Sequence, residues 1–178
     1  IGLPDLTNFE WEDATHISRF SLQFNYYPSY CKNDEQNSGA YIFRPAVSNL
    51  DHSSPYSAPT SSLIFLGKVV TQISTQYDRT IANIRFSDPK SRDIDVETFV
   101  DSIDVSDNVG KEIVLLLKTT LSNNKTFYTD SNGQEMQKRV LNYRPTWNFT
   151  TVQPSSGNYY PVNAAIYIED AITKDRVT

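Results

Sequence analysis

Paired carboxylates, an imidazole base beside a nucleophile, or a cluster of soft ligands are the residue sets with which a chain of this size does chemistry. Asp93, Asp95 and Glu97 stand at i, i+2 and i+4, one face of a strand, and Asp101, Asp104 and Asp107 follow. Two acids across a cleft hydrolyse a glycoside, but an alternating acidic row is far more often a solvated sheet surface, and that is the expectation here. His16 and His52 are the two imidazoles. Neither sits in an H-x-x-x-H pattern and His52 lies beside Asp51 in a Ser-rich stretch, so both read as surface or structural residues rather than a base or metal ligands. The lone Cys31 excludes an internal disulfide and a Cys-based zinc site; it is either a buried thiol or half of a bridge to another segment. No G-x-S-x-G elbow and no phosphate-binding loop occurs among the six glycines.

Three aromatic, polar clusters stand out instead: Ser38–Pro45 (SGAYIFRP), Tyr143–Trp147 (YRPTW) and Gly157–Asn163 (GNYYPVN). Tyr and Trp offer a flat apolar face with a polar tip, the chemistry that stacks on and hydrogen-bonds to sugar rings, although such residues also fill sandwich cores and corners. Asn124-Lys125-Thr126 and Asn148-Phe149-Thr150 fit the N-glycosylation pattern and lean towards the secretory route.

The elements that must position these groups are strands. Ile17–Phe24 alternates at 20, 22 and 24; Val70, Ile73 and Thr75 sit among polar residues; Thr80–Phe86 carries Ile81, Ile84 and Phe86; and Glu112–Thr120 reads as a buried strand. Asn132-Gly133 predicts a type I′ turn pairing Thr126–Asp130 with Gln134–Leu141. Val47–Ser62 and Ser87–Asp95 read as loops, with Ser53–Ser62 a long surface loop. No amphipathic helix of useful length appears, so the fold class is all-β, most simply one β-sandwich region over residues 1–178.

With 178 residues and 38% hydrophobic content the chain can bury a core. Sixteen Lys and Arg against 21 Asp and Glu give a net charge of −5 with no basic run, which removes the counterion-release drive for binding nucleic acid or anionic membranes. Ser62–Val70 and Ile113–Leu117, the longest apolar stretches, fall far short of the roughly 20 residues that span a bilayer, so no membrane span is expected. The sequence opens at Ile1 without Met or a signal-like apolar region and stops at Thr178 in an alternating stretch. The expectation is a piece of something longer.

Five segments in order, Ser38–Pro45, Phe127–Gly133 (FYTDSNG), Tyr143–Trp147, Gly157–Asn163 and Ile166–Asp170 (IYIED), closely resemble the acid, lysosomal-type α-mannosidases of glycoside hydrolase family thirty-eight. The resemblance implies a retaining enzyme that removes terminal non-reducing α-D-mannose from N-glycans with the help of zinc, in a lysosome or another secretory compartment. It implies that the nucleophile, the acid and every zinc ligand lie in a catalytic α/β domain of the same polypeptide, with no catalytic residue and no metal ligand in this chain. These 178 residues would then be part of the galactose-mutarotase-like supersandwich that buttresses that domain, inactive alone.

One position carries over to the oligosaccharide substrate: Tyr41, the Tyr of the SGAY motif. Gly39, which would let the backbone turn sharply, and Arg44, which could pair with a carboxylate across the domain interface, are expected to support the pocket. Asn124 and Asn148 are the expected glycan acceptors, while the Gly157–Asn163 segment and the Asn-Gly hairpin read as structural. The sequence departs from the family at Ala46, where Asn commonly follows the SGAYIFRP segment, and in the Ser-rich loop after it. A catalytically inactive mannosidase-like structural or glycan-binding surface protein would use the same scaffold. An immunoglobulin-like adhesion domain lacks its Cys…Trp…Cys spacing here.

Overall fold

The computed structural model describes residues 8–12, 17–32, 36–46, 54–87 and 93–178, so His16 and His52 lie outside the described residues. The chain is all-β, as its sequence predicts. β1 (Asn8–Glu12) and β2 (Ile17–Pro28) share a sheet with β3 (Ser54–Pro55). β4 (Ser61–Leu66), β5 (Thr71–Gln76), β6 (Thr80–Phe86) and β7 (Asp95–Val100) form an antiparallel meander, and β8 (Lys111–Thr119) joins the first sheet by pairing with β2. β9 (Thr126–Ser131), β10 (Glu135–Val140), β11 (Ile166–Glu169) and β12 (Arg176–Val177) make a third sheet in the order β10-β9-β11-β12. Residues group into two compact units, one built on Phe20–Tyr26 and Ser54–Lys118, the other on Tyr27–Ser53 and Thr119–Thr178.

In the first unit two sheets face each other. The meander's register sets Ile64, Ile73, Ile84 and Val96 in one row and Ser62, Thr75, Ala82 and Thr98 in the next, on the same face because alternate residues share a face. Thr75, Ala82 and Ile84 are buried on that face. Phe24 of β2 meets Tyr77 edge to face at 5.3 Å, and Tyr56 and Ile113 close the cluster. Strand β8 forms where expected but is not buried throughout: Leu115 and Leu117 are both about two-fifths exposed. The predicted surface loop Ser53–Ser62 is also partly strand. Ser54–Pro55 pairs with β2, and the Thr60 N–H and hydroxyl both bond the Gln76 carbonyl, which starts β4 at Ser61.

The opposite face of the meander is polar. Ser74 donates to Asn83 at 2.8 Å, Asn83 to Glu97 at 3.2 Å, and Arg85 bridges Glu97 to Gln72. The hydrogen bonds from Arg85 and Asn83 hold the Glu97 carboxyl below its usual range. The acidic row is therefore a solvated sheet surface. Asp104 and Asp107 beyond it turn the chain, accepting from the N–H groups of Ser106 and Val109, and Asp107 also pairs with Lys111 at 2.8 Å.

In the second unit the Asn-Gly turn forms with both residues at positive φ, +52° and +71°. The register sets Glu135 opposite Ser131, so β10 begins one residue later than the sequence suggests and Gln134 stays in the turn. Two buried carboxylates organise what surrounds it. Asp130 accepts the N–H groups of Gly133 and Asn163, each at 2.8 Å, and of Ala165 at 3.4 Å. Asp170 accepts those of Ser122 at 2.7 Å, Ile172 at 2.8 Å and Thr173 at 3.0 Å. Hydrogen bonding, led by the Ala164 N–H, pulls the Asp130 carboxyl down to about 2, and bonding led by Thr173 does the same for Asp170.

A carboxyl whose pKa is lower folded than unfolded stabilises the fold above its unfolded value, near 3.8, and loses that contribution as pH falls towards 2. Thermal unfolding followed from pH 6 to pH 2 is therefore expected to show a steep loss of Tm below about pH 4. Asp130→Asn and Asp170→Asn each lower Tm at pH 6 and flatten the acid slope.

Candidate functional site

Tyr41 sits at the tip of a loop whose base is held at several points. Gly39 and Ile42 exchange backbone hydrogen bonds of 3.2 Å, closing a tight turn with Ala40 and Tyr41 at its apex. Below it, the Tyr30 N–H bonds the Arg44 carbonyl at 3.0 Å, the Ser38 N–H bonds the Tyr30 carbonyl at 3.0 Å, and the Ala46 N–H bonds the Pro28 carbonyl at 2.8 Å. The Ser38 hydroxyl donates to the Arg44 carbonyl. The Tyr41 side chain is fully exposed, its relative accessibility 100%. A phenol so placed offers one donor, an acceptor and both ring faces to whatever meets the loop.

The loop is also tied from far along the sequence. The Ser156 hydroxyl donates to the Phe43 carbonyl. The Phe43 ring packs edge to face against Tyr27 at 5.6 Å and Tyr159 at 5.5 Å. Ser156 opens a short 3-10 turn, Ser156–Asn158, and Tyr159 follows it. Asn158 fixes that turn through the Asn142 N–H and side chain at 2.9 and 2.8 Å and the Pro154 carbonyl at 2.8 Å. The Arg144 guanidinium reaches the Gly157 carbonyl at 2.6 Å and stacks on Phe149. A Cβ on Gly157 would lie 3.2 Å from the Phe149 ring, so glycine permits this approach. The Tyr160 ring lies 4.5 Å from the Arg139 guanidinium and 5.1 Å from that of Arg144, and packs on Phe127.

The other expected residues fall out as follows. Gly39 closes the turn with an ordinary backbone φ and open space where a Cβ would stand, so the geometry does not require glycine. Arg44 is engaged within the loop, stacked 4.0 Å from the centre of the Tyr30 ring and donating to the Gln36 carbonyl. Asn124 and Asn148 are both exposed, Asn124 in a tight turn where it and Lys125 take positive φ. Cys31 is exposed within this chain. Ser156 and Tyr159 are what sequence reasoning missed as supports of the Tyr41 loop. Tyr159 lay in a cluster assigned only to packing, and Ser156 carried no signal at all.

Each carboxylate with a displaced pKa among the described residues, Glu97, Asp104, Asp107, Asp130 and Asp170, is displaced downward by hydrogen bonds, the reverse of what a proton donor needs. Among the described residues no three His, Cys, Asp or Glu side chains converge as metal ligands, and no helix is long and apolar enough to cross a membrane.

Residues 10–174 match the family described as the glycosyl hydrolases family 38 C-terminal domain. The chain is similar to the lysosomal alpha-mannosidase of Dictyostelium discoideum, 45% identical over 82% of this chain and 14% of that protein. It is 34% identical to the alpha-mannosidase of Canavalia ensiformis over all of this chain and 17% of that protein. Against the human lysosomal alpha-mannosidase it is 38% identical over 76% of this chain and 13% of that protein. It thus spans about one-seventh of the length of the relatives it matches.

Replacing Ser156 by Ala removes the donor on the Phe43 carbonyl, worth about 0.5–1.5 kcal/mol for one hydrogen bond. Amide exchange across residues 39–46 is expected to speed up by about 2- to 10-fold, and unchanged rates would show that the loop does not depend on this tie.

Proposed function

The chain belongs to the glycosyl hydrolase family 38 C-terminal domain, and from that membership we propose that it is the supporting β region of a retaining, zinc-assisted α-mannosidase acting on terminal α-D-mannose of N-glycans. The observation that carries the reading is a fully exposed tyrosine on a loop braced from both ends of the second unit. Binding energy is useful to a glycosidase when the contact is already positioned, and a braced backbone presents the Tyr41 phenol to a sugar hydroxyl without ordering the loop first. Tyr41 is one wall of the pocket. Gly39 and Arg44 shape the loop that carries it.

The nucleophile, the acid and the metal belong to other parts of the polypeptide. The described residues do not fit a zinc ion, since no suitable set of ligands converges among them. The chain's own contribution is to hold one face of the pocket and orient a bound sugar through the Tyr41 phenol. The partner is the catalytic α/β domain of the same polypeptide.

The lysosomal relatives, the two exposed sequon asparagines and the carboxylate ties support an acid, secretory setting. With folded values near 2, Asp130 and Asp170 stay ionised at about pH 5, where unfolded carboxyls begin to titrate. Glycans on Asn124 and Asn148 complete this reading.

The test is Tyr41→Phe in the intact enzyme, assayed on an aryl α-mannoside. Loss of a hydrogen bond to a desolvated sugar hydroxyl removes about 1–3 kcal/mol of transition-state stabilisation, a drop of roughly 5- to 150-fold in kcat/KM. An unchanged kcat/KM removes Tyr41 from the pocket. An intact polypeptide that binds mannosides without turnover leaves the glycan-binding reading in its place.

A further inference from the structure

β4 carries four large apolar residues in succession, Leu63, Ile64, Phe65 and Leu66, exposed by 60, 53, 53 and 82%. It is an edge strand among the described residues, paired with β5 on one side only. The register divides the four between both faces. Ile64 lies in the row of Ile73 and Ile84, on the face that buries the first unit's core, and Leu66 follows it by two. Leu63 and Phe65 lie in the rows of Ser74 and Gln72 on the polar face. A strand apolar on both faces is the pattern of a strand buried on both faces. An edge strand tolerates exposure through charge, proline or a bulge, and β4 carries none of these.

We propose that β4 is an interior strand of the intact protein, covered by a β-strand from the polypeptide outside residues 1–178 that pairs with its free edge and extends the apolar layer over Ile64 and Leu66. The proposal rests on the reading of the chain as one segment of a longer mannosidase. Length selects the occupant: the chain covers 13–17% of the relatives it matches, so more than four-fifths of a polypeptide of that size remains to supply a strand, at the high effective concentration of an intramolecular contact. The core points the same way. Phe24, Tyr77, Ala82 and Ile84 are its only buried apolar residues among those described, so the inner face of the meander is covered at β6 and bare at β4.

A photo-crosslinking amino acid placed at Leu66 of the intact polypeptide, followed by peptide mapping, identifies what lies against it. The expected product is an intramolecular adduct to a peptide outside residues 1–178, with the β4 amides that face its free edge, those not bonded to β5, exchanging about 100-fold or more slower than in an unstructured peptide. An adduct joining two copies, an adduct within residues 1–178, or no adduct together with fast exchange would each overturn the proposal. Because the wild-type exchange measurement needs no substitution, a misfolded variant leaves it testable. Mannosidase activity is measured separately, and its absence alongside the expected adduct would reject the enzymatic reading while keeping the covered strand.

Discussion

The second unit depends on two buried carboxylates that bond backbone N–H groups distant in sequence. Asp130 reaches from the β9 hairpin to Asn163 and Ala165, and Asp170 reaches from the end of β11 back to Ser122. An ionised carboxylate is among the strongest acceptors a protein has, and several donors converging on one compensate its removal from water. Together the two fix both ends of the segment that runs from the hairpin through the aromatic clusters to β11.

Within that frame the tie to Tyr41 is a relay of short contacts. Asn158 and Arg144 shape the 3-10 turn, the turn presents Ser156 and Tyr159, and these hold the Phe43 carbonyl and ring. Tyr41 lies two residues away. Tyr160, in contact with Arg139, Arg144 and Phe127, serves packing, whereas its neighbour Tyr159 supports the loop. One aromatic cluster thus divides its work between adjacent residues.

The strands were largely legible because period-two patterning and the Asn-Gly turn are local signals, from which β2, β5, β6 and the hairpin follow, while β8 follows from a continuous apolar run with β-branched residues at its start. β4 was not, since its apolar run has no alternation and its start depends on Thr60 meeting Gln76. The late start of β10 was hidden because Asp130 accepts the Gly133 N–H within the turn, a local side-chain bond that strand patterning does not report. Tyr41 could be singled out through its motif, but Ser156 could not, because its partner lies 113 residues away and a serine in a Pro-Ser-Ser-Gly stretch reads as loop. Glycine at 39 invited an argument from backbone freedom that the actual turn does not use.

The central claim is that the Tyr41 ring meets the sugar in the intact enzyme. A fluorotyrosine incorporated at position 41 reports that contact directly by fluorine NMR as a competitive mannose-like inhibitor is titrated in. The account predicts that the resonance shifts and saturates with the inhibitor's Kd, while the same label at Tyr160, packed near the Arg139 and Arg144 guanidinium groups, does not move. A Tyr41 signal unchanged at full occupancy would contradict it.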